Sequence, residues 1–204
     1  PAVGTVDVSA IDADIGDALW MTTTDFLTPT TLSMVEIGQQ PQKLKSMPAF
    51  FKADGLATEQ QFATSKDGTK VPYFIVRPTF LPLDGSTPTL LWGYGGFEVS
   101  YTAAYNSMAG RGWLQQGGVF VLANIRGGGE YGPRWHQAAL KANRHKAYED
   151  FAAVAEDLFA REITSPARLG AQGGSNGGLL MGNMVVQYPQ LFGAIVCQVP
   201  LLDM

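Results

Sequence analysis

Residues 167–182 read ARLGAQGGSNGGLLMG, with five glycines between Gly170 and Gly178 crowded round a single serine, Ser175. The run ARLGAQGG is expected as a strand, and a helix is expected to start after Ser175. Gly173-Gly174-Ser175-Asn176-Gly177 fits G-x-S-x-G in that strand-to-helix setting, the context of a nucleophile elbow. The reason is steric. A serine held in a sharp, strained turn needs neighbours without β-carbons, so glycines stand beside it. Such a turn lifts the hydroxyl above the sheet and points the first helical amides at the same spot, where they and the helix dipole can bind a developing oxyanion. The competing reading is a glycine-rich turn with an incidental serine. A phosphate loop is excluded, because it needs Gly-Lys-Ser/Thr and no lysine follows Lys146.

Upstream of that turn, strands and helices alternate after Pro82. TPTLLWGYGG (87–96) and GGVFVLANI (117–125) read as buried strands, YNSMAGRGWLQQ (105–116) as a helix, and FGAIVCQVP (192–200) as a further strand. From His145 to Glu162, apolar residues at Ala147, Phe151, Val154, Ala155, Leu158 and Phe159 recur every three or four positions, the period of an amphipathic helix. This alternation implies an α/β fold, a parallel sheet with helices on both faces. The first third differs. ALWMTTTDF (18–26) and TLSMVEI (31–37) read as antiparallel strands around a turn containing Pro29, followed by a polar connection at 38–48. TEQQFATS (58–65) and TKVPYFIVRP (69–78) flank Lys66-Asp67-Gly68, a hairpin signal because glycine accepts the positive φ of the turn.

Composition narrows the function classes. Eighteen acidic against 14 basic residues give a net charge of −4, with no basic footprint for nucleic acid. The longest apolar runs fall far short of the roughly 20 residues of a membrane-spanning helix, so no membrane partner is expected. The single cysteine, Cys197, cannot form an internal disulfide, and its apolar setting predicts a buried, inert thiol. The chain starts at Pro1 without a charged-then-apolar leader, so any targeting segment is expected to be removed or never included. A cytoplasmic site is expected, with the periplasm as the alternative.

Two further loops accompany the elbow. In NIRGGGEYGPRW (124–135), Gly127, Gly129 and Gly132 satisfy G-x-G-x-x-G after a strand. A dinucleotide site is disfavoured because Pro133 stands where its helix should already be under way, and these glycines are read as a tight loop beside the active edge of the sheet. Gly93-Tyr94-Gly95-Gly96-Phe97 lies at the C-terminal end of its strand, where open α/β sheets bind ligands. A ligand-facing loop and an aromatic core turn both fit that spacing.

Taken together, YGGF (94–97), NIRGGGEYG (124–132) and GGSNGGLL (173–180) resemble the prolyl oligopeptidase family of serine peptidases in order and spacing, over a stretch from about Leu56 to Met204. Asn176 and Phe97 favour its prolyl branch over oligopeptidase B. The resemblance implies Ser175 as nucleophile, the Asn176 amide and the Tyr94 hydroxyl as oxyanion donors, and Phe97 as a lining of the substrate pocket. It implies short peptides as substrates, cleavage after proline, and no metal or cofactor. It also implies an α/β-hydrolase domain capped by a β-propeller. Residues 1–58 would then be the end of the propeller and a linker, and residues 59–204 a hydrolase domain incomplete at its C-terminus.

The resemblance exposes a gap. In α/β-hydrolases the triad acid and base follow the serine, whereas after Ser175 only Asp203 is acidic and no histidine occurs. His136 and His145 precede the serine; the first follows the glycine loop and the second is expected at an exposed helix start. Asp203 is expected to be structural or capping. Loss of the histidine from such a triad costs on the order of 10⁶ in turnover. The chain is therefore expected to be an interior segment of a longer enzyme, nearly inactive and prone to aggregate on its own. An esterase or acylaminoacyl peptidase on the same scaffold, and a binding module that keeps the elbow without the triad, remain the alternatives.

Overall fold

Threonine and β-branched residues fill the first strands, where they suit a pleated surface. The computed structural model describes residues 3–203. β1 (Thr5–Ala10), β2 (Ala18–Thr24), β3 (Thr31–Glu36) and β4 (Gln42–Ser46) form an antiparallel meander in chain order. β2 and β3 fall within the two expected strands. β4 corrects the sequence reading, lying inside the segment expected to be a polar connection. All five of its residues are exposed, so no apolar alternation marks it, and only the ladder to β3 defines it. The β2–β3 turn is closed by Asp25, whose Oδ1 accepts from the Leu27 and Thr28 amides at 2.7 and 2.6 Å. That turn pushes Phe26 into the second sheet, against Phe74 and Phe120.

The second sheet has the order β10-β9-β7-β8-β6-β5, from β5 (Leu56–Thr64), β6 (Lys70–Pro78), β7 (Thr89–Gly93), β8 (Val119–Ala123), β9 (Leu169–Gly174) and β10 (Ala194–Gln198). β10, β9, β7 and β8 are parallel, as expected. The sheet as a whole is mixed, because the β5–β6 hairpin joins with β6 antiparallel to β8. Gly68 takes φ +85° in the hairpin turn, the conformation for which Asp-Gly was read. The expected junction at residue 58/59 falls inside β5.

Alternation along the strands sorts the core into two layers. Val71, Tyr73, Ile75, Leu91, Val119 and Val121 face α3 (His145–Ala160) and α4 (Asn176–Gln187), where Phe151, Val154, Leu158, Leu180 and Met181 meet them. Phe74, Val76, Trp92, Phe120 and Leu122 face the other way, toward Phe26, Phe51, Leu114 and the segment carrying α1 (Ser107–Gly112). Helices thus lie on both faces, but unequally. The single helix read over 105–116 is α1 followed, after Trp113, by a 3-10 turn at Leu114–Gln116. A short helix, α2 (Pro133–Gln137), does begin at Pro133, which sits at its first position, where a missing N–H costs nothing.

Cys197 is exposed, contrary to expectation. It lies on β10, which pairs with β9 alone among the described strands. Its Sγ lies 3.2 Å from the Gly178 carbonyl. Asp203 is exposed beyond β10 and caps none of the described helices. No described helix is long and apolar enough to cross a membrane.

Candidate active site

β7 and β9 are adjacent and parallel, so their C-terminal ends open on one edge of the sheet. Ser175 stands between β9 and α4 with φ 57° and ψ −115°, a conformation that costs a side-chain-bearing residue about 1–3 kcal/mol. The backbone around it explains the glycines in part. A β-carbon on Gly177 would lie 2.6 Å from the Gly93 carbonyl oxygen, and one on Gly173 would collide with the backbone of Gly177. Gly174 is different. A β-carbon there would meet nothing closer than 3.8 Å, so the expected crowding does not extend to it. The Ser175 amide donates to Gln198 O at 3.0 Å, tying the turn to β10. The Asn176 amide begins α4, among the helical N–H groups without an intrahelical acceptor.

Tyr94 follows the last residue of β7 and so reaches the same edge as Ser175. Its carbonyl accepts from Asn176 Nδ2 at 2.6 Å, and its ring lies 5.2 Å from that of Tyr101. Burial raises the Tyr101 hydroxyl pKa above its ordinary value, with Tyr94 and Glu130 adding to the shift. Phe97 is 65% exposed at φ 52°, on the rim of a cavity of about 520 Å³ that is also lined by His136, Leu140, Lys141, Arg144 and Asn176. Ser175, Asn176 and Tyr94 are therefore gathered at one strand edge, and Phe97 stands beside them.

The histidines are placed otherwise. His136 donates from Nδ1 to Gly127 O at 2.7 Å. The Glu98 amide lies 3.1 Å from that nitrogen and 3.2 Å from the same carbonyl, so with Nδ1 protonated the carbonyl accepts both. His145 is exposed at the start of α3, its Nδ1 3.1 Å from Ala142 O. No hydrogen bond joins either histidine to Ser175 among the described residues.

Several residues around the site carry no motif of their own. Arg126 is buried and donates from Nε and Nη2 to Asp150 at 2.9 and 2.6 Å and from Nη1 to Asp67 at 2.6 Å, while Ser65 Oγ donates to Asp150 at 2.6 Å. Its hydrogen bond holds the Asp67 carboxyl well below the usual carboxylate range. Glu130 accepts from the Tyr101 amide at 3.0 Å and from Asn124 Nδ2 at 3.3 Å, but its buried Oε2 has no partner among the described residues, and burial pushes its carboxyl up. The Trp135 indole Nε1 is likewise buried and unpartnered. Arg144 reaches both Gly95 O and Asn176 Oδ1. The partners of Arg126 and Arg144, and the Tyr101 amide that Glu130 accepts from, lie 24 to 59 residues away and left no local signal.

The description of the prolyl oligopeptidase family matches residues 105–204. An uncharacterized peptidase of Sinorhizobium fredii is 50% identical over 205 residues, which cover 100% of this chain and 28% of the relative. Among solved structures, one from a study of two prolyl endopeptidases superposes with a TM-score of 0.94 at 41% identity, covering 100% of this chain and 30% of that one. Prolyl oligopeptidase B from Galerina marginata, solved bound to a 35mer hydrolysis and macrocyclization substrate, superposes at 0.90 with 29% identity, covering 98% and 29%. The chain thus spans less than a third of the length of these relatives, and the likeness runs through its first 55 residues as well as the stretch from Leu56 onward. In sequence and in fold, the chain belongs to the prolyl oligopeptidase family.

Proposed function

We propose that this chain supplies the nucleophile and the oxyanion site of a serine peptidase that cleaves short peptides on the carboxyl side of proline. The observation that carries the reading is the strained backbone of Ser175 between β9 and α4, with Tyr94 brought to the same sheet edge by β7. Ser175 Oγ attacks the scissile carbonyl carbon and gives its proton to a histidine. The Asn176 amide and the Tyr94 hydroxyl donate to the oxyanion, each donor contributing about 3–4 kcal/mol. Collapse breaks the C–N bond as the histidine returns the proton to the leaving amine, and water then hydrolyses the acyl-enzyme by the same steps in reverse. The base and its orienting carboxylate belong to parts of the protein outside this chain. The chemistry draws on no metal or cofactor. Phe97 offers an exposed ring to the proline side of the substrate. In this reading β1–β4 belong to the last blade of a β-propeller, which a four-stranded antiparallel meander suits, and β5 onward to the hydrolase domain.

The test is hydrolysis by the full-length protein of peptides that differ only in the residue before the scissile bond. Cleavage after proline, lost in Ser175→Ala, is the expected result. Ester hydrolysis without peptide cleavage would transfer the site to an esterase, and release of acylated N-terminal residues alone would make it an acylaminoacyl peptidase.

A further inference from the structure

The two proposed oxyanion donors come from different elements, Asn176 from the start of α4 and Tyr94 from the loop after β7, so something must hold their spacing. Asn176 is only 3% exposed, and its side chain spans the gap. Its Nδ2 donates to the carbonyl of Tyr94 at 2.6 Å, and its Oδ1 accepts from Arg144 Nη2 at 2.9 Å. That orientation of the amide is forced, because a carbonyl can only accept and a guanidinium can only donate. Arg144 Nη1 donates in turn to the next carbonyl of the loop, Gly95 O, at 2.5 Å. The guanidinium carbon lies 5.6 Å from the centroid of the Tyr148 ring, one turn into α3, which steadies the fork. Gly96 has no side chain where one would run into the Asn176 amide.

We infer that Arg144 is a positioning residue of the oxyanion site, fixing the Tyr94 loop to the nucleophile turn through Gly95 O and the Asn176 side chain. The inference rests on the serine peptidase reading for its catalytic consequence. The bridge joins three parts of the chain, separated by 49, 32 and 82 residues along the sequence in its three hydrogen bonds. Holding two acceptors on different segments at once, one on each Nη, suits a planar fork of donors, which arginine has and lysine lacks. A displacement of about 1 Å at a reacting group can cost on the order of 10²-fold in rate, so a loosened loop should act on the rate of chemistry rather than on substrate affinity.

The experiment compares Arg144→Gln and Arg144→Lys in the full-length protein, each with and without Tyr94→Phe. Arg144→Gln is expected to lower kcat by about 10- to 100-fold with KM changed less than about threefold, and Arg144→Lys to recover only part of the loss. In the Tyr94→Phe background, where one donor is already gone, the further loss should shrink to less than about threefold, the sign of residues acting as one unit. Equal losses in both backgrounds, tracking a fall in Tm, would reduce Arg144 to a structural role. A raised KM with unchanged kcat would make it a substrate contact and overturn the inference. Hydrogen exchange at the Tyr94–Phe97 amides decides the structural part without any activity. Faster exchange in Arg144→Gln is expected, and unchanged exchange contradicts the bridge even if the peptidase reading itself fails for want of proline cleavage.

Discussion

At the scale of single residues, the site is built from side chains whose surroundings are fixed by close backbone. Ser175 was legible because its signal is local: glycines within two positions, a strand before and a helix after. The position of Tyr94 and Phe97 after a buried strand was legible too, but that spacing fits a ligand-facing loop and an aromatic core turn equally, and only the family resemblance gives the two residues roles. Arg144 and Glu130 were not legible, since what distinguishes them is a partner far along the chain. Glu130 makes a testable case. Its folded pKa lies above the roughly 4.3 of an unfolded glutamate. Below that value the carboxyl is protonated in both states, and as pH rises the unfolded chain ionises first, so folding stability falls through the interval up to the raised pKa. Glu130→Gln keeps the acceptor for the Tyr101 amide and removes this ionisation. The difference in urea midpoint between variant and wild type should therefore grow from about pH 4 upward and level off. A difference independent of pH would show that burial does not oppose the charge.

At the scale of elements, the buried Arg126 joins three of them: the β5–β6 hairpin through Asp67, the loop after β8 through its own backbone, and α3 through Asp150. The amide of Arg126 also donates to Asp150 Oδ2 at 3.0 Å, so one carboxylate sets both the side chain and the entry to the glycine loop. Asp150→Asn leaves a buried guanidinium with half its compensation. Chemical denaturation should show a loss of about 3–5 kcal/mol, the usual cost of breaking a buried pair from one side; a loss under about 1 kcal/mol would mean that Asp67 alone suffices. Elements were legible where a core face repeats at the helical period, as in α3, where a short apolar run marks a buried strand, as in β8, or where an Asp-Gly turn joins two strands, as in β5 and β6. β4 was not, because no apolar alternation marks its five exposed residues and backbone pairing alone makes it a strand; β1 was missed although Val6 and Val8 alternate with Asp7 and Ser9. The antiparallel junction of β6 with β8 was also hidden, since a buried strand has the same apolar run whichever way it points.

At the scale of the whole molecule, the four-stranded sheet meets the six-stranded one through a small set of side chains. Phe26, 6% exposed, projects from the β2–β3 turn onto Phe74 and Phe120, and Thr5 Oγ1 donates to Ala103 O at 2.7 Å. Phe26→Ala should cost about 3–5 kcal/mol and loosen the joint, so limited proteolysis within residues 47–55 should quicken; an unchanged cleavage rate would place the restraint elsewhere. The change from strands to alternating strands and helices after Pro82 was legible in the order of the segments, although the β5–β6 hairpin before it joins the second sheet; the joint was not, because Phe26 sits in what reads as an ordinary turn. The central claim concerns the serine at the edge of the second sheet. It is tested most directly by reacting the full-length protein with a fluorophosphonate and locating the adduct by peptide mass spectrometry. The account predicts one adduct, on Ser175, formed in step with loss of peptide hydrolysis and absent in Ser175→Ala. Hydrolysis of proline peptides that persists once Ser175 is fully labelled, or that is lost through an adduct on another residue while Ser175 stays unmodified, would contradict it.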